Sequence, residues 1–110
     1  MASELGLQRR EGITSRVTIS YTPEAVGDLS RLREFIAEKN PNAAQRIAGE
    51  LLEGISKLET FPRMGLPVAK APDPELIRDL FVTSYTVRYL IASEEIHILR
   101  VWHNKEAEKS

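Results

Sequence analysis

The sequence of 110 residues contains no cysteine. This absence excludes disulfide frameworks, thiolate zinc sites and cysteine nucleophiles, and it suits a reducing compartment. No run of apolar residues approaches the roughly 18 that are needed to cross a bilayer. The N-terminus also lacks the apolar stretch of a signal peptide, so we expect a cytoplasmic protein.

An excess of charge of one sign is missing as well. The chain has 15 lysines and arginines against 16 aspartates and glutamates, which gives a net charge of −1. A protein this close to neutrality does not hold nucleic acid through a large basic field. Hydrophobic residues make up 42 % and charged residues 28 %, a composition typical of a single soluble globular domain.

Several motifs of enzyme chemistry are absent from the sequence. It contains no glycine-rich loop with the spacing that cradles phosphates and no GxSxG nucleophile elbow. Its two histidines, His97 and His103, do not belong to a metal-ligand pattern such as HExxH. We therefore expect neither a cofactor nor a metal ion.

Changes of pattern along the chain predict the domain organisation. Residues 1–15 show no hydrophobic period and are predicted to be a flexible N-terminal extension. A single domain is expected over residues 16–104, followed by a polar tail at 105–110. The domain opens with apolar residues at alternate positions, which predicts a half-buried strand, namely Val17, Ile19 and Tyr21.

Two closely spaced helices are predicted to follow this strand. Thr22-Pro23 and Asn40-Pro41 each place a capping side chain before a proline, which is the pattern of a helix start. Apolar residues at steps of three and four predict one buried stripe on each helix: Ala25, Leu29, Leu32 and Ile36, with Phe35 beside them, then Ala44, Ile47, Ala48, Leu51, Ile55 and Leu58. Gly49 and Gly54 weaken the second helix, so we expect a neighbouring backbone to approach closely there.

Three further strands are predicted after an irregular segment that ends near Asp73. The strand-like runs are Leu76 to Val82, Tyr85 to Ala92 and Ile96 to Trp102, and the breaks between them suit antiparallel hairpins. The predicted order is β-α-α-β-β-β. The predicted fold is a two-layer α+β domain, with the helical hairpin packed on one face of a mainly antiparallel four-stranded sheet.

Three arginines lie inside the predicted strands, at Arg78, Arg88 and Arg100. An inward-facing charge is costly to desolvate, so we expect all three to point away from the helices. Strand alternation then places four apolar residues on the same uncovered face, namely Leu80, Leu90, Ile98 and Trp102, while Val87, Tyr89, Leu99 and Val101 point inward.

Arg78, Arg88, Arg100 and Trp102 form the predicted partner-binding surface. The alternative interpretation is that each arginine pairs with a nearby carboxylate, such as Asp79 or Glu94, on a solvated face.

His103 ends the last predicted strand close to two cations, Arg100 and Lys105. A histidine in such surroundings can act as a general acid or base in phosphodiester cleavage, while the cations stabilise developing charge. The alternative is a hydrogen-bonded structural histidine at a strand end.

A set of residues spread along the chain resembles the RelE/ParE toxin superfamily of bacterial type II toxin-antitoxin systems. The similarity extends from about Val17 to His103. It is carried by an NPxAA helix start, an LxxFPxxG helix end and an ILRVxH last strand, that is, by Asn40-Pro41 with Ala43-Ala44, by Leu58, Phe61-Pro62 and Gly65, and by Ile98-Leu99-Arg100-Val101 with His103. The superfamily's β-α-α-β-β-β fold agrees with the predicted architecture.

Within the superfamily the chain is more similar to the ParE branch. This resemblance implies a toxin linked to growth arrest and plasmid stabilization, which inhibits DNA gyrase by protein contact and is not itself an enzyme. It also implies a ParD-like antitoxin that lays an amphipathic helix on the αα-hairpin edge or on the sheet face with Arg78 and Arg88.

The alternative is a RelE-like endoribonuclease that cleaves mRNA on the ribosome, with His103, Arg100 and Lys105 as its catalytic residues. The arginine that commonly follows the histidine is replaced here by Asn104, and the usual Gly-Arg is Gly65-Leu66. Both departures weaken the nuclease interpretation. A third interpretation is a non-toxic member of the family that only forms complexes.

Overall fold

The computed structural model describes residues 17–106. The predicted extension at 1–15 and the end of the predicted tail, 107–110, lie outside these described residues. The elements are β1 (Thr18–Tyr21), α1 (Pro23–Lys39), α2 (Pro41–Ser56), a 3₁₀ turn (Lys57–Glu59), β2 (Leu66–Pro67), β3 (Ile77–Val82), β4 (Tyr85–Ala92) and β5 (Glu95–His103).

Both helices begin at the predicted prolines. The Thr22 hydroxyl accepts a hydrogen bond from the Ala25 amide at 3.1 Å. The Asn40 side chain accepts from the amides of Asn42 and Ala43 at 3.1 and 3.2 Å. These side chains satisfy amide groups that have no partner within the first helical turn, and the prolines remove another such amide. Asn40 also ends α1, so the two helices follow each other directly.

The sheet has the strand order β1-β5-β4-β3-β2. β1 pairs with β5 in parallel, and the other pairs are antiparallel. The predicted α+β class is therefore confirmed, but the sheet formed by residues 17–106 has five strands instead of the predicted four. The additional strand, Leu66–Pro67, lies in the segment that was predicted to be irregular, and two residues are too few to show an alternating pattern.

The helical hairpin covers one face of the sheet. Ala25 and Leu32 of α1, together with Leu51 and Ile55 of α2, meet a row of strand residues, and Leu58 closes the core from the 3₁₀ turn. Each large aliphatic side chain buried in this way contributes about 1.5–3 kcal/mol. The strand side of this core consists of Leu80, Tyr85, Val87, Tyr89, Ile96, Ile98 and Val101.

The predicted orientation of β3 is wrong. Leu80 pairs with Val87 and Arg78 pairs with Tyr89. Since Val87 and Tyr89 face the helices, Arg78 and Leu80 share the covered face and are buried there. The prediction failed because it assumed that no partner inside the fold could satisfy an arginine.

The predicted orientation of Ile98 and Leu99 is also wrong, because β5 contains a bulge. Arg88 pairs with Arg100, but the next residue of β4, Tyr89, pairs with Ile98. Leu99 is thus an extra residue that faces no partner. One inserted residue reverses the alternation of the strand, so that Ile98 enters the core in place of Leu99.

The two helical glycines differ. A Cβ atom on Gly54 would lie 2.8 Å from a methyl group of Val82 in β3, so the close neighbour of α2 there is a side chain and not the predicted backbone. A Cβ atom on Gly49 would meet nothing within 4 Å. The same prediction is therefore wrong for Gly49.

Candidate functional site

His103 lies at the end of β5 with its ring already engaged. Its Nδ1 accepts a hydrogen bond from the Lys105 amide at 3.0 Å. The ring meets that of Tyr85 edge-on, with centroids 5.0 Å apart. Its own amide donates to the Glu106 carboxylate at 2.8 Å. These contacts are those of a structural histidine that closes the end of a strand.

Arg100 does not direct its guanidinium group toward His103. Its Nε and Nη2 atoms donate to the two carboxylate oxygens of Asp28 in α1, at 2.8 and 3.0 Å. The same carboxylate accepts from the Val101 amide at 2.9 Å. β1 pairs with β5 only as far as Ile98 and does not reach Val101. The Asp28 carboxylate therefore accepts the hydrogen bond from the Val101 amide that a neighbouring strand would otherwise accept. Arg100 is therefore an anchor between the two layers of the fold.

The ionisation of the Asp28–Arg100 pair follows from this geometry. Burial raises the pKa of Asp28, but hydrogen bonds from Arg100 and the Val101 amide and the charges of Arg100 and Arg31 outweigh burial and leave the pKa lowered. The hydrogen bond to Asp28 raises the pKa of Arg100. Both groups stay charged, and the predicted cluster of His103, Arg100 and Lys105 is not brought together as a reactive site.

Sequence reasoning missed Asp28, although the sequence held a signal. Asp28 lies three residues after Ala25 and four before Leu32, and all three are buried. A carboxylate in the middle of an apolar stripe is costly to bury without a partner, so its position predicts a basic partner from another element. The three strand arginines were the available partners.

Arg78 is buried against the loop that joins the 3₁₀ turn to β2. Its guanidinium donates to the carbonyl groups of Gly65 at 2.9 Å and Arg63 at 3.2 Å, and it contacts the Glu75 carboxylate at 2.8 Å. Beside it, the Tyr89 hydroxyl donates to the Pro62 carbonyl at 2.7 Å and accepts from the Gly65 amide at 2.9 Å. Arg78 consequently holds a loop and is not displayed to a partner.

Arg88 and Trp102 do lie on the face of the sheet opposite the helices, as predicted. The Arg88 guanidinium makes two hydrogen bonds to Asp79, at 2.8 and 2.9 Å, and its centre lies 5.1 Å from the Trp102 ring. Both side chains are buried. This contact with Asp79 is the one that the alternative interpretation of a paired arginine expected.

His97, the second histidine, connects two strands on the same face, opposite the helices. Its Nδ1 lies 2.9 Å from the Ser20 hydroxyl and its Nε2 lies 3.3 Å from the Glu95 carboxylate. Among residues 17–106, no three histidine, aspartate or glutamate side chains are grouped so that they could hold a metal ion. No helix in that part of the chain is both long enough and apolar enough to cross a membrane.

A concavity lies between the two helices and reaches Tyr21 of β1. It has a volume of about 400 Å³ and a mainly apolar lining, with Arg33 among the few polar groups. Its apolar wall includes Tyr21, Val26, Leu29, Ile36, Ile47 and Leu52. We call this surface the helical groove. It lies on the αα-hairpin, whose edge is the first of the two predicted antitoxin surfaces.

The sequence of this chain matches one protein family over most of its length. Residues 19–108 match the family described as "ParE toxin of type II toxin-antitoxin system, parDE". The chain belongs to this family. The resemblance to the RelE/ParE superfamily, predicted from the helix and strand motifs, is confirmed.

Two curated relatives are toxins of the RelE/ParE superfamily. The chain is 34 % identical over 85 residues to "Toxin RelE2" of Caulobacter vibrioides, a match that covers 77 % of this chain and 92 % of the relative. It is 27 % identical over 89 residues to "Toxin RelE1" of the same organism, covering 81 % and 95 %.

A solved structure matches the fold of this ParE-family chain. A chain of the "Chromosomal ParDE TA system from P. aeruginosa" has a TM-score of 0.69 at 18 % identity, and the match covers 82 % of this chain and 98 % of that one. At this level of identity the likeness concerns the fold alone.

Proposed function

We propose that this chain is a cytoplasmic toxin that arrests growth by inhibiting DNA gyrase through protein contact, and that a ParD-like antitoxin neutralises it. One observation favours DNA gyrase over ribosome-bound mRNA as the target. Arg100, which a nuclease site would need beside His103, is bound to Asp28. The near-neutral net charge supports the same choice, since cleavage of ribosome-bound RNA favours a basic surface.

The helical groove supplies the antitoxin surface of this proposal. An amphipathic helix binds by placing apolar side chains, spaced three and four residues apart, into a groove of this kind. The groove offers Val26 and Leu52 as exposed apolar walls and Arg33 as a cation for an acidic residue of the antitoxin. The second predicted surface, the sheet face with Arg78 and Arg88, is less suited because both guanidinium groups are buried.

The test of the gyrase target is a supercoiling assay on relaxed plasmid with the purified full chain. We expect inhibition of supercoiling, or linear plasmid after detergent treatment, at concentrations at which the chain is folded by circular dichroism. Unaffected gyrase together with arrested translation in a cell-free extract would overturn the proposal in favour of the endoribonuclease. In that case His103→Ala should remove activity while antitoxin binding is kept.

The test of the groove uses two variants of equal chemistry. Leu52 lines the groove and is 55 % exposed, whereas Phe35 is 57 % exposed on α1 and does not line it. Leu52→Glu should weaken binding of the co-expressed antitoxin about tenfold or more, because a carboxylate would be buried in the apolar contact. Phe35→Glu should leave it unchanged. Equal effects of the two substitutions would show that the antitoxin binds elsewhere.

A further inference from the structure

A second apolar surface lies on the loop that leads from the 3₁₀ turn into β2. Phe61 is 60 % exposed and Leu66 is 61 % exposed, and Arg63 and Met64 between them are also exposed. We call residues 61–66 the presenting loop. Phe61 and Met64 also line a second, more open concavity together with Ile91 of β4. Large exposed apolar side chains grouped in this way mark an interaction surface more often than isolated ones do.

The backbone of the presenting loop is held from below by buried polar groups. Tyr89 contacts the Pro62 carbonyl and the Gly65 amide, and Arg78 contacts the Arg63 and Gly65 carbonyls. Gly65 is packed so tightly that a Cβ atom there would lie 2.8 Å from both the Asp79 carbonyl and the Tyr89 ring. A loop fixed in this way loses little conformational entropy when a partner binds its side chains.

The presenting loop and the helical groove are separate surfaces. They share no lining residue: Tyr21 belongs to the groove, whereas Val17 belongs to the concavity beside the loop. Val17 directly precedes β1 and Tyr21 is its last residue, so the two residues lie about 13 Å apart at the usual rise per strand residue. A substitution in the presenting loop therefore leaves the lining of the helical groove unchanged.

We propose that the presenting loop is the surface through which the toxin contacts its target protein, and that it fits an apolar pocket edged by a carboxylate. This inference rests on the proposed function, which supplies a protein target. Aromatic, methionine and arginine side chains are enriched at protein interfaces, and Phe61, Arg63 and Met64 provide one of each.

Charge complementarity supplies the polar part of this fit. The Arg63 guanidinium lies 3.5 Å from Glu75, and both side chains are exposed. An exposed ion pair of this kind contributes little stability, so Arg63 can exchange Glu75 for a carboxylate of the partner at small cost. Glu75 keeps its shorter contact with Arg78 when this happens.

The test compares two phenylalanines of similar exposure in the full chain. Phe61→Ser changes the presenting loop, and Phe81→Ser changes a side chain that is 55 % exposed on the sheet face opposite the helices. In the gyrase supercoiling assay, Phe61→Ser should raise the concentration for half-inhibition about tenfold or more. Phe81→Ser should change it less than about twofold, which is the range of a surface substitution away from a contact. Both variants should bind the co-expressed antitoxin as the unmodified chain does.

A charge series sharpens the same test. Arg63→Glu should weaken inhibition more than Arg63→Gln, and Arg63→Lys should retain most of it, because only the sign of the charge must match the partner. Thermal unfolding followed by circular dichroism checks that each variant is folded.

The outcomes separate this inference from the proposed function. If the unmodified chain inhibits gyrase and Phe61→Ser inhibits it equally, the inference about the loop is overturned while the proposed function stands. Loss of antitoxin binding by Phe61→Ser also overturns it, since the loop would then belong to the antitoxin surface. If the unmodified chain leaves gyrase unaffected, the proposed function fails. Inhibition of cell-free translation then becomes the readout, and equal activity of Phe61→Ser and the unmodified chain there overturns the inference.

Discussion

Two buried polar contacts connect different parts of this ParE-family chain to the same sheet. At one end Asp28 of α1 binds Arg100 and the amide of Val101. At the other end Tyr89 and Arg78 bind the backbone of the presenting loop. The first contact joins the helical layer to the sheet, whereas the second fixes a loop whose side chains point into solvent. The first should therefore govern the stability of the whole domain and the second the shape of a surface.

Asp28→Asn is expected to show the largest effect. This substitution removes the negative charge that balances Arg100. Removing one partner of an ion pair that is fully buried lowers the free energy of unfolding by about 3–5 kcal/mol. Arg100 remains a quarter exposed, so we expect a loss near the lower limit of that range, about 3 kcal/mol. Urea unfolding measures this loss. A change below about 0.5 kcal/mol, as at an ordinary surface site, would contradict the assigned role of Asp28.

Tyr89→Phe is expected to have a smaller effect of a different kind. It removes the hydroxyl group and leaves the Gly65 amide without its partner, which costs about 1–3 kcal/mol for a buried group. Hydrogen exchange should speed up at Gly65 more than in the helices, because the loss is local. Uniform acceleration throughout the domain would show that Tyr89 supports the fold as a whole and not the presenting loop.

Alanine substitutions at the two helical glycines are expected to change the stability of the domain in opposite directions. Gly54→Ala should destabilise the domain by about 1 kcal/mol, because the added methyl group overlaps Val82 by more than the gain in helix propensity offsets. Gly49→Ala should stabilise it by roughly 0.5–1 kcal/mol, because nothing lies near the new methyl group. Thermal unfolding of both variants checks the pair. Equal signs would mean that packing of α2 against β3 differs from the one described.

The smallest expected effect is a difference between the two contacts in how their contribution to stability depends on pH. The pKa of Asp28 is lowered below its ordinary value of 3.8 in the folded state. Its stabilising contribution is therefore fully present above that value and is lost as the pH falls through the lowered folded pKa. The difference in unfolding free energy between the unmodified chain and Asp28→Asn should shrink below about pH 4. The difference for Tyr89→Phe should stay constant over the same range, because a tyrosine does not titrate there.

Much of the fold could be predicted from local signals. Thr22-Pro23 and Asn40-Pro41 marked both helix starts to the residue, and the strand runs after Asp73 gave the antiparallel hairpins. The helical stripes indicated which helix faces enter the core, except that Phe35, expected beside the stripe, is exposed. These signals succeed because capping and periodicity depend on residues only a few positions apart.

The candidate sites were harder to predict, because they depend on pairs that are distant in sequence. Arg100 was expected at a surface beside His103, but its partner lies 72 residues earlier, in α1. Arg78 was expected to face outward, but loop carbonyls 13 and 15 residues away satisfy it. The helical groove was expected only as one of two possible antitoxin surfaces. Local patterns in one sequence do not identify which charged residues pair when they are distant along the chain.

The sequence by itself determined the two helices and the four longer strands, their order, the α+β class and the superfamily, since all of these follow from local patterns and motifs. The tertiary structure alone decided the direction in which each strand arginine points, the bulge at Leu99, and the separation of the helical groove from the presenting loop. The physical reason is that burying a charge is unfavourable until a specific partner is present. Only the folded chain brings Asp28 to Arg100 and the carbonyl groups of the presenting loop to Arg78.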